Sequence, residues 1–354
     1  LLYIFLYKKI YNHKVKQKIK VIIIIKNDYE VDEMHKLWSK YPEINNELKE
    51  VKQIIEKNAR CRDKVVEESI LELLNSGGKM LRPAFVILSS KFGSYEEKKA
   101  RALASVVEMF HMATLVHDDI IDEATLRRGK ETVQSKYGKN YAVYIGDYLF
   151  CICFKVLAGV GSLDSVQIDT MTMSRICMSE IDQLNSRFDK NVSVKKYLKR
   201  ASGKTAELFS LSLYLGAAES GCSRKLSRAF WEIGHNIGMA FQIIDDILDY
   251  TGSDESIGKN SANDLKQGIY TLPLIVALEN RPSELVDILE KSDYTEDDVL
   301  DIIKLVNKYD GVNKAREIAK KYTNKAYKQI ESLPENEYKE ILLEITKKLL
   351  DRIY

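Results

Sequence analysis

Apolar residues recur at helical spacing along most of the chain. Between residues 96 and 123, for example, Leu103, Val106 and Phe110 lie three or four positions apart and share one face of an α-helix. No stretch shows the two-residue alternation of a half-buried strand. The same spacing predicts helices over residues 47–74, from 79 onward, and over 96–123, 141–157, 166–188, 194–218, 230–250, 271–279, 297–308, 313–332 and 335–354. The pattern therefore predicts an all-α, single-domain bundle of roughly ten or more helices around a central cavity.

Composition supports this fold class and narrows the function. The chain has 354 residues, of which 45% are hydrophobic, with only 17 Gly and 5 Pro, as expected of a mostly helical protein. A net charge of +2 gives no reason to expect nucleic acid as a partner. The 5 cysteines are scattered and do not form a disulfide framework, so we expect a reducing, cytoplasmic compartment.

The first 33 residues differ from the remainder. Apolar residues 1–7 precede a lysine-rich segment and a second apolar run at 21–25, which reverses the order of a signal peptide. Neither run approaches the ~20 residues that span a bilayer. Codons for residues 30–31 can form a ribosome-binding sequence before Met34. We expect residues 1–33 to be a non-native or disordered extension and residues 34–354 to be the domain. The alternative is a genuine basic extension, and the intact mass of protein made from the native gene distinguishes the two.

Two acidic motifs have the same form, with aspartates at positions i, i+1 and i+4 of an apolar helix. Burying so many carboxylates is costly unless cations neutralise them. Hard oxygen ligands with no cysteine nearby favour Mg²⁺, which in such sites usually also binds phosphate oxygens. The motifs consist of Asp118, Asp119 and Asp122 in the first helix and of Asp245, Asp246 and Asp249 in the second.

Basic residues occur in two groups near these motifs. Lys79 and Arg82 follow a pair of glycines and are three positions apart, which predicts that they lie on adjacent positions of one helical turn. His111 lies two turns before Asp118 on the same face. Two acidic and two basic groups predict a site for two diphosphates, one bound through Mg²⁺ and one without metal. The metal-free set would be Lys79, Arg82, His111 and Arg128; the remaining basic residues are Arg127, Lys204, Lys259 and Lys266.

Taken together, the motifs resemble the ordered set of the trans-isoprenyl diphosphate synthases, or polyprenyl synthetases, of the medium- and long-chain type seen in bacterial heptaprenyl and octaprenyl diphosphate synthases. The resemblance runs from about Met34 to the end. One acidic motif alone is also found in class I terpene cyclases, whereas five motifs in this order are specific. They are GKMLRP at 78–83, LVHDDIID at 115–122 with RRG at 127–129, GKTA at 203–206, FQIIDDILD at 241–249, and GK at 258–259 with DLKQG at 264–268.

The resemblance implies a prenyltransferase that condenses isopentenyl diphosphate with an allylic diphosphate, either farnesyl or geranylgeranyl. Mg²⁺-assisted ionisation would give an allylic carbocation that the isopentenyl double bond attacks. Asp118, Asp122 and Asp245 would hold three Mg²⁺ ions, supported by the other three aspartates. Arg127, Lys204 and Lys259 would bind the allylic diphosphate. Oxygen atoms of Lys204, Thr205 and Gln242 would face the carbocation.

Small residues below the first acidic motif indicate the product length. Thr114 and Ala113, four and five positions before Asp118, leave room for a growing chain where short-chain relatives commonly carry Phe or Tyr. Phe110 is the next obstruction on that face, unless it packs elsewhere in the core. We therefore expect a medium or long all-trans product of about thirty to forty carbons, suited to a quinone side chain. The alternative is a short-chain farnesyl or geranylgeranyl diphosphate synthase.

Other classes fit the sequence less well. A class I terpene cyclase does not need Lys79, Arg82 or a second acidic motif, and a di-iron bundle needs Glu-x-x-His pairs that are not placed to serve. A non-catalytic subunit of a heteromeric synthase should have lost the acidic motifs. We expect a homodimer, with a heterodimer containing a small regulatory subunit as the alternative. Membrane contact would be at most peripheral, for product release.

Overall fold

The structure is a computed structural model that describes residues 35–251, 264–291 and 293–351. Within these ranges it contains fifteen α-helices, a 3₁₀ turn at Lys36–Lys40 and a π turn at Ser202–Ala206. The helices are α1 Pro42–Ala59, α2 Lys64–Leu74, α3 Leu81–Ser90, α4 Glu97–Ile121, α5 Val133–Tyr137, α6 Lys139–Val160, α7 Leu163–Asn185, α8 Val194–Ala201, α9 Glu207–Glu219, α10 Arg224–Leu248, α11 Leu272–Ala277, α12 Ser283–Ile288, α13 Glu296–Lys308, α14 Gly311–Glu331 and α15 Glu337–Leu350.

Strands β1 (Leu126–Arg127) and β2 (Lys130–Glu131) form a short antiparallel hairpin after α4, with Leu126 paired to Glu131. The described part of the chain has no other sheet. The all-α prediction is confirmed. The expected extension at 1–33 and the predicted site residue Lys259 lie outside the described residues.

Helices α4 and α10 occupy the middle of the bundle and carry the two acidic motifs. Helix α4 packs against α3 and α6, and α10 packs against α9 and α14. Both motifs lie at the C-terminal ends of their helices, with Asp122 and Asp249 as the C-cap residues. The partial negative charge at a helix C-terminus adds to the cost of placing carboxylates there. Both motifs therefore lie where a bound cation would most reduce electrostatic repulsion.

The structure corrects three boundaries that helical spacing predicted. The predicted helix over 47–74 is two helices, because Asp63 accepts hydrogen bonds from the Val65 and Val66 amides and caps a new helix. Lys79 lies outside α3, which begins at Leu81 after Met80 in the left-handed conformation (φ 50°). The predicted helix over 194–218 is interrupted by the π turn at Ser202–Ala206, a feature often found at functional sites.

Glycines allow α9 and α10 to approach closely beneath the site. A Cβ atom at Gly234 would lie 2.4 Å from the Phe209 carbonyl oxygen, and one at Gly238 would lie 2.5 Å from the Ala206 Cα. Both contacts are with backbone, which cannot move aside as a flexible side chain can. Glycine at these two positions therefore sets the separation of the helices that carry the second acidic motif and the π turn.

We expect Gly234→Ala to lower the free energy of unfolding by about 1–3 kcal/mol, because the methyl group overpacks the α9–α10 interface. Gly159→Ala in α6 is the matched control, since a Cβ there meets nothing within 4 Å. That change should be neutral or stabilise by up to about 1 kcal/mol. Urea unfolding of both variants measures the difference; equal midpoints would contradict the packing argument.

Candidate active site

A cavity of about 560 Å³ lies between α3, α4, α9 and α10. Most of the site residues that the sequence predicts line this cavity, although they come from five separate segments of the chain. They are Lys79, Arg82, His111, Thr114, Asp118, Asp122, Arg127, Arg128, Lys204, Thr205, Gln242 and Asp245. Acidic residues of α4 and α10 thus share one cavity with the basic residues at the start of α3.

The predicted residues that do not line this cavity are Asp119, Asp246, Asp249, Ala113 and Phe110. The surroundings of Asp119, Asp246, Ala113 and Phe110 are described below. A second cavity of about 220 Å³ adjoins the first at Asp122, Lys204 and Gln242, and it includes Asp246 and Asp264. The two cavities together make the site long enough to reach from the basic residues of α3 to the segment that follows the second acidic motif.

Burial perturbs the acidic side chains. Burial raises the pKa of Asp118 to about 6, and neighbouring Glu180 and Asp122 add to the effect while Lys204 opposes it. Burial and nearby carboxylates likewise raise the pKa of Asp249 to about 7. In the described residues, no three His, Cys, Asp or Glu side chains already form a metal-binding group. Oxygen donors from two facing helices nevertheless fit Mg²⁺ that is shared between the protein and a diphosphate.

Asp119 binds the Arg127 side chain. Only 2% of Asp119 is exposed, and its Oδ1 accepts hydrogen bonds from Arg127 Nε at 2.8 Å and Nη2 at 2.7 Å. A forked guanidinium contact of this kind fixes the direction of the arginine side chain. Arg127 in turn lines the cavity, so the second aspartate of the first motif positions a basic residue at its wall.

Asp246 is also engaged by protein groups. Its Oδ2 accepts from the Tyr197 hydroxyl at 2.6 Å, and its Oδ1 accepts from Gln242 Nε2 at 2.8 Å. The Leu272 amide lies 3.4 Å from the same Oδ2. Gln242 Oε1 accepts from the Thr205 hydroxyl. Burial raises the pKa of Asp246 to about 6 even though these donors favour the ionised form. Both carboxylate oxygens of Asp246 therefore already accept hydrogen bonds from protein groups.

The loop before α3 presents the basic residues. The indole Nε1 of Trp38, a fully buried side chain, donates to the Lys79 carbonyl at 2.7 Å across 41 positions of sequence. The Arg82 guanidinium lies 4.5 Å from the centre of the Phe209 ring. Burial lowers the pKa of Arg82 to about 10, opposed by Glu108, so the side chain stays charged at neutral pH.

His111 is neutral in this arrangement. Burial, followed by the charges of Arg82, Arg128 and Arg127, lowers the pKa of its imidazole well below the usual value. The buried carboxylate of Glu108 lines the same part of the cavity, and Arg82 and Arg128 oppose the rise that burial causes in the pKa of Glu108. This end of the cavity therefore offers two guanidinium groups, an exposed lysine and a neutral imidazole as donors to an anion.

Lys204 lies in the π turn and is paired with α7. Its Nζ donates to Glu180 Oε2 at 2.9 Å. Burial alone would lower the pKa of Lys204, but Asp118 and Glu180 outweigh it and leave the pKa raised. The lysine thus stays protonated beside the first acidic motif.

The three residues expected to control product length occupy different positions. Thr114 lines the cavity, and its hydroxyl donates to the His111 carbonyl at 2.8 Å. Ala113 is fully buried outside the lining. Phe110 packs edge-on against Phe150 of α6, with ring centroids 5.3 Å apart. Of the three, Thr114 has the direct position on the wall.

Several residues of the site escaped sequence reasoning. Glu108 is three positions before His111, so the spacing alone could have placed it on the same helical face. Glu180 and Tyr197 belong to helices that carry no recognised motif, and only the tertiary structure brings them to Lys204 and Asp246. The contact between the Trp38 indole and the Lys79 carbonyl likewise joins segments that are distant in the sequence.

Comparisons with known proteins agree with this geometry. Component 2 of heptaprenyl diphosphate synthase from Bacillus subtilis is 35% identical over 307 residues, which cover 87% of this chain and 88% of that protein. The crystal structure of geranylgeranyl pyrophosphate synthase from Lactobacillus brevis superposes with a TM-score of 0.86 at 34% identity, covering 90% of this chain and 99% of that one. Heptaprenyl diphosphate synthase from Staphylococcus aureus gives 0.83 at 36% identity, covering 88% and 99%.

The family model for polyprenyl synthetases matches residues 63–306, which include both acidic motifs and all the basic residues assigned above. This match agrees with the motif order found in the sequence and with the cavity that gathers those motifs. The chain therefore belongs to the polyprenyl synthetase family and is a trans-prenyltransferase.

Proposed function

We propose that this enzyme condenses isopentenyl diphosphate with farnesyl or geranylgeranyl diphosphate to make a medium- or long-chain all-trans polyprenyl diphosphate. The observation that carries the proposal is the single cavity lined at one end by carboxylates of α4 and α10 and at the other by basic residues of α3 and its loop. Two diphosphates need two binding sites with different chemistry, and this cavity supplies both.

Asp118, Asp122 and Asp245 are the residues with which we expect the protein to hold about three Mg²⁺ ions, because these aspartates line the cavity, whereas Asp119 and Asp246 accept hydrogen bonds from other protein groups. Bound Mg²⁺ would neutralise the departing allylic diphosphate. Lys204 and Arg127 add positive charge beside it, held by Glu180 and Asp119 respectively. Lys259, outside the described residues, is assigned to the same diphosphate.

Thr205 and Gln242 provide oxygen atoms where the allylic carbocation forms. Partial negative charge fixed in place before the reaction stabilises a cation without reorganisation. The rings of Phe209 and Phe241, with centroids 5.6 Å apart, line the same cavity. These apolar surfaces exclude water that would otherwise quench the cation.

Lys79, Arg82, Arg128 and His111 are assigned to the diphosphate of isopentenyl diphosphate. Arginine forks match phosphate oxygens, and the neutral imidazole of His111 donates one further hydrogen bond. Glu108 keeps Arg82 and Arg128 from repelling each other in the absence of the substrate. No metal is needed at this end because the cationic side chains already balance the anion.

An exposed apolar face suggests a partner subunit. Tyr144 on α6 is 73% exposed, and Met171 and Met178 on α7 are each 54% exposed. Helix α6 is also the one helix of the described ranges that is long and apolar enough to span a bilayer, a property that core and interface helices share. We expect a second copy to cover this face. The alternative is a small regulatory subunit, which the name "component 2" of one relative suggests. Light scattering of the purified chain distinguishes dimer from monomer.

The product would serve as a quinone side chain, and the enzyme would act in the cytoplasm with at most peripheral membrane contact for product release. Free cysteines at all five positions fit a reducing compartment. Cell fractionation tests the compartment.

Incubation of the purified chain with farnesyl diphosphate, isopentenyl diphosphate and Mg²⁺, followed by chromatography of the dephosphorylated products, tests the function. We expect a product of about thirty to forty carbons, because Thr114 leaves the cavity wall open below Asp118. Thr114→Phe should shorten it to about fifteen or twenty carbons, since the ring would stand roughly one turn, ~5.4 Å, below the carboxylates.

Thr114→Ser is the control for the hydroxyl, and Ala113→Phe tests the neighbouring buried position that the sequence also suggested. A wild-type product that already stops at fifteen or twenty carbons would support the short-chain alternative. A long product that Thr114→Phe leaves unchanged would mean that the chain grows along another helix.

Lys79→Ala should raise the KM for isopentenyl diphosphate by roughly ten- to a hundred-fold, because it removes a charge-assisted contact of about 1.5–3 kcal/mol. The KM for the allylic substrate should change little. Lys304→Ala, at an exposed lysine that pairs with Asp301, is the control. An effect confined to the allylic substrate would show that the two sites are assigned the wrong way round.

A further inference from the structure

Tyr197 begins a directed chain of hydrogen bonds that ends at the cavity wall. Its side chain is 3% exposed, on α8, and its hydroxyl donates to Asp246 Oδ2 at 2.6 Å. The other carboxylate oxygen accepts from the Gln242 side-chain amide at 2.8 Å, and the Gln242 carbonyl accepts from Thr205. Tyr197 lines the smaller adjoining cavity and not the main one, whereas Gln242 and Thr205 line the main cavity.

The chain can run in only one direction while Asp246 is ionised. A carboxylate accepts hydrogen bonds and cannot donate, so the NH₂ group of Gln242 must face Asp246. The Gln242 carbonyl then points to Thr205, whose hydroxyl donates to it. The free lone pairs of Gln242 Oε1 and Thr205 Oγ1 are left for the cavity, where an electron-poor carbon is stabilised.

Other groups around Asp246 do not replace Tyr197. The Leu272 amide is 3.4 Å from the same oxygen, at the long end for a hydrogen bond. The Arg200 guanidinium, which also favours the ionised carboxylate, is committed to the Tyr270 carbonyl at 2.7 Å and to Ser186 Oγ at 3.0 Å. Loss of the Tyr197 hydroxyl would therefore leave a buried carboxylate oxygen short of a donor.

We infer that Tyr197 is a positioning residue for the reaction. Through Asp246 it fixes the Gln242 side-chain amide in the orientation that turns its carbonyl oxygen, and not its NH₂ group, toward the reacting allylic carbon. Asp246, the second aspartate of the C-terminal motif, is thus an orienting residue, whereas Asp245, the first, lines the main cavity. This inference rests on the proposed function.

Loss of the Tyr197 hydroxyl should slow the chemical step. Without the tyrosine hydroxyl, the Asp246 carboxylate loses its shortest hydrogen-bond donor and is held less firmly against the Gln242 amide. The amide is then free to turn over and present NH₂ to the cation, which destabilises it. Neither diphosphate contacts Tyr197 in the proposed arrangement, so substrate binding should be preserved.

We expect Tyr197→Phe to lower kcat by about ten- to a hundred-fold with each KM changed less than about three-fold, as for loss of a hydrogen bond to a charged group. Tyr294→Phe is the matched control: that side chain is 5% exposed, and its hydroxyl contacts the Leu289 carbonyl and the Tyr270 side chain, not Asp246. Thermal unfolding of both variants shows how much stability each loses. A Tyr197→Phe enzyme with wild-type kcat would overturn the inference.

A double-mutant cycle separates positioning from a general structural effect. If Tyr197 acts through Gln242, then Tyr197→Phe should cost little further kcat in a Gln242→Ala enzyme, because the group being oriented is gone. Losses that multiply independently would overturn the inference while leaving the proposed function intact. A wild-type enzyme that makes no prenyl product under the same conditions would instead refute the proposed function.

Discussion

The structure depends on how six carboxylates are accommodated at the C-terminal ends of two central helices. Each helix end already carries partial negative charge, and burial there raises the pKa of Asp118 to about 6 and that of Asp249 to about 7. Uncompensated, such a cluster destabilises the fold. We propose that this unfavourable charge creates a place where divalent cations and a diphosphate bind favourably.

The compensation is divided among the aspartates. Asp119 forms an ion pair with the Arg127 guanidinium, and Asp246 accepts hydrogen bonds from the Tyr197 hydroxyl and the Gln242 amide. Asp118, Asp122 and Asp245 are left on the cavity wall. Asp119 and Asp246 also contribute to the site, because each contacts a side chain that lines the cavity. These side chains are Arg127 and Gln242, respectively. In the proposed arrangement, metal binding and substrate positioning use neighbouring positions of the same motif.

Features that depend on residues close together in the sequence could be predicted from the sequence. Helical spacing predicted the bundle, and the motifs predicted that carboxylates of α4 and α10 would share a cavity with basic residues, although Asp119, Asp246 and Asp249 do not line it. Prediction from the sequence failed where contacts join distant segments: Tyr197 and Glu180 have no local signature, since helix packing alone brings them to their partners. Local interactions also changed the boundaries of two predicted helices. Asp63 capped a new helix within a stretch whose apolar spacing was continuous, and Met80 took a left-handed conformation that kept Lys79 outside α3.

The most direct test is the pH dependence of the stabilisation by Mg²⁺. Because the folded-state pKa of Asp118 is raised to about 6, above that of the unfolded chain, its ionisation costs stability as pH rises toward and past 6. Mg²⁺ alone should therefore raise the unfolding temperature more at about pH 8 than at about pH 5.5, where protons compete for the carboxylates. Asp118→Asn should weaken this effect. An equal shift at both pH values, or one that Asp118→Asn leaves undiminished, would contradict the account.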